Sequence, residues 1–216
     1  MKVRVKICGL TRAGDVNAAI NEGADAVGFV VASPAASRNL TFSKAKGLMK
    51  LARVFSTPVA VTSSRDPKRI LEICSRLRPT AVQLHYHTRS LIQLIRKRHP
   101  STKLILATAV RDERSLASAR EASHYSDAIL ADSPSPTGMG GTGVLNDWQL
   151  SARIREWIAP HPLILAGGLT TKNVQDAIRR VRPFAVDVSS GVERSVGIKD
   201  HKRIRDFIMN AKERRL

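Results

Sequence analysis

At 216 residues the chain has room for one large domain or two small ones, with an ordinary soluble composition of 43% hydrophobic and 25% charged residues. No apolar run approaches the roughly 20 residues that span a bilayer, and the opening MKVRVKICGL is too short and too charged for a signal peptide, so the expected compartment is the cytoplasm. Two cysteines, Cys8 and Cys74, with no CxxC pair make no disulfide framework and leave free thiols available. The 36 basic and 18 acidic residues give a net charge of +18, which suits either nucleic acid or an anionic small substrate. With only 4% aromatic residues there are few platforms for base stacking, so nucleic acid is the weaker reading.

In chain order, short β-branched runs alternate with amphipathic ones. Strands are expected at Val3–Cys8, Ala26–Val31, Pro58–Val61, Ala81–His85, Leu104–Ala109, Ala128–Asp132, Leu163–Ala166 and Ala185–Val188. Between them, Ile70, Ile73, Cys74 and Leu77 repeat at helical spacing, as do Val174, Ala177, Ile178 and Val181, and Ile204, Phe207, Ile208 and Ala211. Thr11, Ser43, Asp66, Thr171 and Asp200 are expected helix caps. Eight strands and eight helices in strict alternation, with no linker or low-complexity segment, predict a single (β/α)8 barrel over residues 1–216. Near-continuous apolar strands fit a parallel sheet covered by helices. An open doubly wound sheet is the rival, but no GxGxxG supports it.

Barrel sites lie at the C-terminal strand ends. Those ends carry Cys8-Gly9, Gln83-Leu84-His85, Asp132-Ser133, Ala166-Gly167-Gly168 and Asp187-Val188-Ser189-Ser190-Gly191. A thiol, an imidazole, carboxylates and hydroxyls would therefore share one face. Glycine-rich stretches follow three consecutive strands: Gly140-Gly141-Thr142-Gly143, Gly167-Gly168 and Ser190-Gly191. Glycine lets backbone N–H groups approach an anion closely, and the loops after strands 7 and 8 commonly bind phosphate. Tight turns are the plain alternative. Cys74 lies on an apolar helix stripe and reads as core. Position alone leaves Cys8 open between core and chemistry.

KICGLTR, GADAVGFV, VQLH, Asp132 with GGTG beyond it, LAGGLTTKNV and VDVSSGVE…GIKD together resemble the phosphoribosylanthranilate isomerase family, in the family's order and over nearly the whole chain. The resemblance implies a (β/α)8 barrel and an Amadori rearrangement of a phosphorylated aminoaldose, with no metal or redox cofactor. It implies Cys8 as the general base at C2 of the sugar and Asp132 as the general acid at the ring oxygen. A thiol near its reference pKa of about 8.5 is only partly ionised at neutral pH, so Cys8 needs help from basic groups or backbone dipoles. By the same matching, Arg38 implies recognition of the anthranilate carboxylate, which a planar guanidinium can bind with two parallel hydrogen bonds. Gln83, His85 and Asp187 imply substrate contacts at the rim. Gly141, Thr142, Gly167, Gly168, Ser190 and Gly191 imply phosphate binding.

The sequence departs from the family pattern in four places. The usual S-P-R is stretched to Ser33-Pro34-Ala35-Ala36-Ser37-Arg38. Tyr86 and His87 follow VQLH in place of glycine. Strand 3 runs into Val59-Ala60-Val61-Thr62-Ser63-Ser64. Residues 133–140 form a Pro- and Gly-rich stretch that reads as either a lid or an insertion. A dual-substrate barrel isomerase of histidine and tryptophan synthesis is the alternative enzyme, but such enzymes use paired aspartates and lack the KICG start. A basic barrel that binds nucleic acid is the alternative from another class. The expected partner is an anionic small molecule, with no membrane and no nucleic acid. A second copy of the chain stays open.

Overall fold

The computed structural model describes residues 3–133 and 146–213. Eight parallel strands close on themselves in sequence order: β1 (Arg4–Ile7), β2 (Ala26–Val30), β3 (Thr57–Thr62), β4 (Ala81–Leu84), β5 (Lys103–Ala109), β6 (Ala128–Asp132), β7 (Leu163–Leu165) and β8 (Ala185–Val188). The barrel seam is the β1–β8 pairing, in register from Arg4 opposite Ala185 to Ile7 opposite Val188. The expected eight-stranded barrel is therefore the observed one, with strand ends differing by a residue or so from the sequence reading. Closure leaves no sheet edge exposed along the eight strands.

The helices form the outer ring: α1 (Ala13–Asn21), α2 (Phe42–Met49), α3 (Pro67–Leu77), α4 (Arg89–Arg98), α5 (Arg114–Ser123), α6 (Trp148–Ile158), α7 (Val174–Val181) and α8 (His201–Lys212). In α3 the stripe Ile70, Ile73, Cys74 and Leu77 is buried as its spacing predicts, and Cys74 is 1% exposed, a core residue. Among the described residues, no helix is long and apolar enough to cross a membrane.

Asp66 and Asp200 cap α3 and α8 by accepting from Lys68 N and Arg203 N at 2.9 and 3.1 Å. The other three expected caps are corrected. Thr11 donates instead to the Gly197 carbonyl, 2.5 Å away, and Arg12 occupies the cap position of α1. Thr41 rather than Ser43 caps α2, accepting from Lys44 N. Asn173, not Thr171, precedes α7.

Strand alternation sorts the barrel into two apolar compartments. Val5, Ile7, Val82, Leu84, Ile129, Ala131, Val186 and Val188 point outward against the helices. Cys8, Val59, Val61, Ala81, Ile105, Ala128, Leu130, Ile164 and Ala185 fill the interior. The same alternation turns Lys6, Gln83, Asp132 and Asp187 inward, all of them buried. The interior is thus apolar near the strand starts and polar toward their C-terminal ends.

A small addition follows β8. A 3₁₀ turn (Ser190–Val192) leads into an antiparallel ribbon of β9 (Glu193–Ser195) and β10 (Ile198–Lys199). The sequence reading contained no strand here.

Candidate active site

One pocket opens at the C-terminal end of the barrel. Its walls include Cys8 from β1, Arg38 from the segment after β2, Gln83 and His85 from β4 and beyond, Asp132 from β6, Gly167 and Gly168 after β7, and Asp187, Ser190 and Gly191 from β8 and its turn. Ser33, Ala36 and Ser63 complete the wall on the β2–β3 side. Residues separated by as many as 183 positions therefore share one concave surface, as the barrel rule requires. Two expected phosphate contacts, Gly141 and Thr142, lie outside the described residues.

Asp132 ends β6 and faces inward. Its carboxylate accepts from the following backbone N–H, Ser133 N to Oδ1 at 2.8 Å. Burial and the nearby Asp187 carboxylate push its pKa up to about 6, against opposing pulls from the Ser133 N–H and Lys6. A carboxyl group tuned to that range can hold a proton near neutral pH and give it up on demand.

Cys8 is 7% exposed, and its backbone N–H is tied to the Val188 carbonyl at 2.8 Å. Burial pushes the thiol pKa up; Lys6 and Lys199 pull it down, while Asp187 adds to the rise. Two basic groups that favour the thiolate are therefore close by, Lys6 with the larger effect and Lys199.

A hydrogen-bonded row crosses the barrel beneath the pocket. The Lys6 ammonium donates to Asp187 Oδ1 at 2.9 Å and to Gln83 Oε1 at 3.0 Å. Ammonium is only a donor, so the Gln83 amide must present its oxygen to Lys6. Its NH2 then faces His85 and donates to Nε2 at 3.1 Å. That leaves the His85 proton on Nδ1. Burial, with the Lys6 charge adding to it, lowers the His85 pKa to about 4, so the ring is neutral at physiological pH. His85 is thereby suited to donating or accepting a hydrogen bond, not to carrying charge.

Arg38 is locked in place. Its Nε and Nη2 donate to Glu193 Oε1 and Oε2 at 2.7 and 2.6 Å, a bidentate pair between the loop after β2 and β9. Lys199 Nζ donates to the same Oε1 at 2.9 Å and to the Ser189 carbonyl at 2.9 Å. The stretched Ser33–Arg38 segment thus still delivers the guanidinium to the rim. One face of its fork is taken by Glu193, and the remaining Nη1 edge, 3.4 Å from Ser37 Oγ, is the edge available to a ligand. Gly9, at φ +71°, makes this approach possible: a Cβ there would lie 2.5 Å from Arg38 Cδ and 2.8 Å from Ser189 Oγ.

The glycines after β7 and β8 are also shaped by close packing. Gly167 sits at φ +86° and Gly168 at φ +64°. A side chain at Gly191 would overlap the Leu169 carbonyl, so the turn after β8 can press against the loop after β7 only because that residue is glycine. Asn146 braces the same corner by donating to the carbonyls of Ala131 and Ala166 at 3.0 and 2.9 Å. Asn173 holds the other side, accepting from Thr170 N and donating to the Gly168 carbonyl. The departure at Tyr86 is covered by Arg65, whose guanidinium lies 4.1 Å from the ring centroid.

Lys6, Glu193 and Lys199 were all legible as parts of quoted motifs, but not as site residues. Lys6 lies two positions before Cys8 on a strand, so the period of two alone places it inside the barrel. Glu193 and Lys199 depend on a ribbon that nothing in the local pattern announced.

Residues 5–210 match the family model described as N-(5'-phosphoribosyl)anthranilate (PRA) isomerase. An N-(5'-phosphoribosyl)anthranilate isomerase from Halorubrum lacusprofundi is 40% identical over 210 residues, covering 96% of both chains. The crystal structure of phosphoribosyl anthranilate isomerase from Thermotoga maritima superposes with a TM-score of 0.85 at 39% identity, over 97% of this chain and 98% of that one. A structure of such an enzyme in complex with reduced 1-(o-carboxyphenylamino)-1-deoxyribulose 5-phosphate superposes with a TM-score of 0.83 at 38% identity, with the same coverage. Together with the closed barrel and the pocket at its C-terminal rim, these likenesses establish that the chain belongs to the N-(5'-phosphoribosyl)anthranilate isomerase family.

Proposed function

We infer that the chain converts N-(5'-phosphoribosyl)anthranilate to 1-(2-carboxyphenylamino)-1-deoxyribulose 5-phosphate, an isomerisation of tryptophan biosynthesis, and that Cys8 and Asp132 are its base and acid. The observation that carries the residue assignment is that a thiol from β1 and a carboxyl group from β6 line the same pocket. Asp132 gives its proton to the ring oxygen as the C1–O bond breaks and the anilino nitrogen forms a C1=N iminium. The Cys8 thiolate then takes the proton from C2; the C–H electrons become a C1=C2 bond, and the C1=N electrons return to nitrogen. The resulting enol becomes the C2 ketone by losing its hydroxyl proton while C1 gains one. The sum is a rearrangement within one molecule.

The remaining residues divide the ligand's ends. Arg38 takes the anthranilate carboxylate on its free edge. Gly167, Gly168, Ser190 and Gly191 take the phosphate, with Gly141 and Thr142 assigned to it from sequence alone. Gln83, His85 and Asp187 line the sugar. A solvated, strongly basic surface favours capture of so anionic a ligand. The finer proposals on surroundings are a cytoplasmic enzyme and a homodimer; Val54 and Phe55, 94% and 93% exposed between α2 and β3, are an apolar tip that a second copy would cover. Sedimentation of wild type against Phe55→Ser tests the dimer, with an unchanged monomer contradicting it.

Rescue of a tryptophan auxotroph lacking this isomerase step, with a direct assay of turnover, tests the activity. Growth and turnover are expected. A folded protein with neither, but with salt-sensitive RNA binding, would favour the nucleic-acid alternative. Turnover of the corresponding histidine-pathway aminoaldose would favour the dual-substrate one.

A further inference from the structure

We propose that Lys6 is a positioning residue for the proton transfer: its ammonium, fixed from below by Asp187 and Gln83, is the counter-charge that draws the Cys8 thiol toward its thiolate against burial and Asp187. This rests on the reading of Cys8 as the base.

Cys8 directly follows β1, two residues beyond Lys6, and both side chains face the barrel interior. Lys6 is 2% exposed, a rare place for a lysine unless it is paired. Two protein oxygens, Asp187 Oδ1 and Gln83 Oε1, occupy two of its three N–H donors. The Lys6 charge acts on the Cys8 sulfur, favouring its thiolate form. Gly28 on the neighbouring strand makes the arrangement fit: a Cβ there would stand 2.8 Å from Cys8 Sγ and 3.2 Å from Lys6 Cε. The thiol and the lysine stem therefore share the space that Gly28 vacates.

The charged surroundings decide the sign. Facing this pair are Asp187 from β8, Asp132 from β6, neutral His85 after β4, Lys199 from β10, and the Arg38–Glu193 pair from the β2 loop and β9. Lys199 and Arg38 are both bound to Glu193, which accepts from both. Lys6 is bound to Asp187, which raises the thiol pKa in its own right. Lys6 and Asp187 thus act on the sulfur in opposite directions. A residue that only filled space would move it in neither.

The chemistry follows. In the thiolate form, sulfur accepts the C2 proton and becomes neutral, while Lys6 keeps its own proton throughout. Lys6 is absent from the pocket wall that Cys8 lines, so its proposed effect is on the base.

The test is the pH dependence of iodoacetamide alkylation at Cys8, read by mass spectrometry of the peptide containing it. Site-resolved reading separates it from Cys74, whose thiol is pushed by burial up to about 11. Lys6→Met keeps the stem and removes the charge; its alkylation limb is expected to move to higher pH by about one to three units, the usual effect of an opposite charge in contact. Asp187→Asn keeps the ammonium and removes the opposing charge; its limb is expected to move to lower pH. Circular dichroism and thermal melting establish which variants fold. A folded variant of either kind whose limb superposes on wild type overturns the proposal. Because alkylation needs no substrate, this outcome is separable from any failure of the isomerase assay.

Discussion

Arg38 and Glu193 lie 155 residues apart in sequence and meet through two parallel hydrogen bonds of 2.7 and 2.6 Å. The pair joins the loop after β2, whose Arg38 lines the pocket, to the ribbon after β8. Glu193 is held well below the usual carboxylate range: burial alone would raise its pKa, but Arg38 and Lys199 overcome it. The pair therefore stays ionised wherever the enzyme works, and the guanidinium is aimed before any ligand arrives. Preorganisation of this kind lowers the cost of binding.

Two variants separate aim from charge. Arg38→Ala removes the proposed carboxylate contact and should raise KM by roughly tenfold or more while kcat changes little, the effect of losing a charge-assisted hydrogen bond. Glu193→Gln leaves the guanidinium present but unclamped, and a smaller rise in KM is expected. Steady-state kinetics on both variants checks this; unchanged KM in Arg38→Ala would show that another group holds the carboxylate.

The pH–rate profile follows from the two shifted groups. On the proposed assignment, reaction needs Cys8 deprotonated and Asp132 protonated. The thiol lies above its ordinary value and the carboxyl at about 6. Below about 6, the thiolate fraction rises with pH while the acid stays loaded, so kcat/KM rises. Between the two values, gain of thiolate and loss of carboxylic acid cancel, and the profile is flat. Above the thiol value only the loss remains, and the rate falls. The measurement is kcat/KM against pH; Asp132→Asn should lose the limb near 6, and persistence of that limb would assign it elsewhere.

Gly191 offers a test of the phosphate corner. Gly191→Ala places a methyl group onto the Leu169 backbone carbonyl, and backbone cannot swing away as a flexible side chain can. A stability loss of about 1–3 kcal/mol is expected from such overpacking, together with weaker binding of phosphorylated ligands. Denaturant unfolding and inorganic phosphate competition measure the two effects. Wild-type values for both would show that the two loops do not depend on this contact.

The fold was legible because its signals are local and repeated. Each strand is an apolar run and each helix a stripe, and the interior or exterior fate of every strand residue follows from alternation alone. Cys8, Gln83, His85, Asp132 and Asp187 could therefore be placed on one rim before any coordinates. The clamp on Arg38 could not. It depends on β9 and β10, strands of three and two residues too short to carry a pattern, and on tertiary pairing over more than 150 positions. Lys6 was hidden for a different reason: a lysine in a strand ordinarily reads as an outward, solvated residue, and only the position of Cys8 two residues on fixes its direction. The expected caps fail for separate reasons: the Gly197 carbonyl takes the Thr11 hydroxyl, Thr41 outcompetes Ser43, and α7 starts two residues later than Thr171 would have it, after Asn173.

The most direct test of the account is turnover by Cys8→Ala and Asp132→Asn, each shown to be folded by circular dichroism. Each variant is expected to lose at least about 10²–10⁴-fold in kcat, the contribution of a positioned acid or base. Rates near wild type in either folded variant would contradict the pairing of thiol and carboxyl group across the barrel mouth.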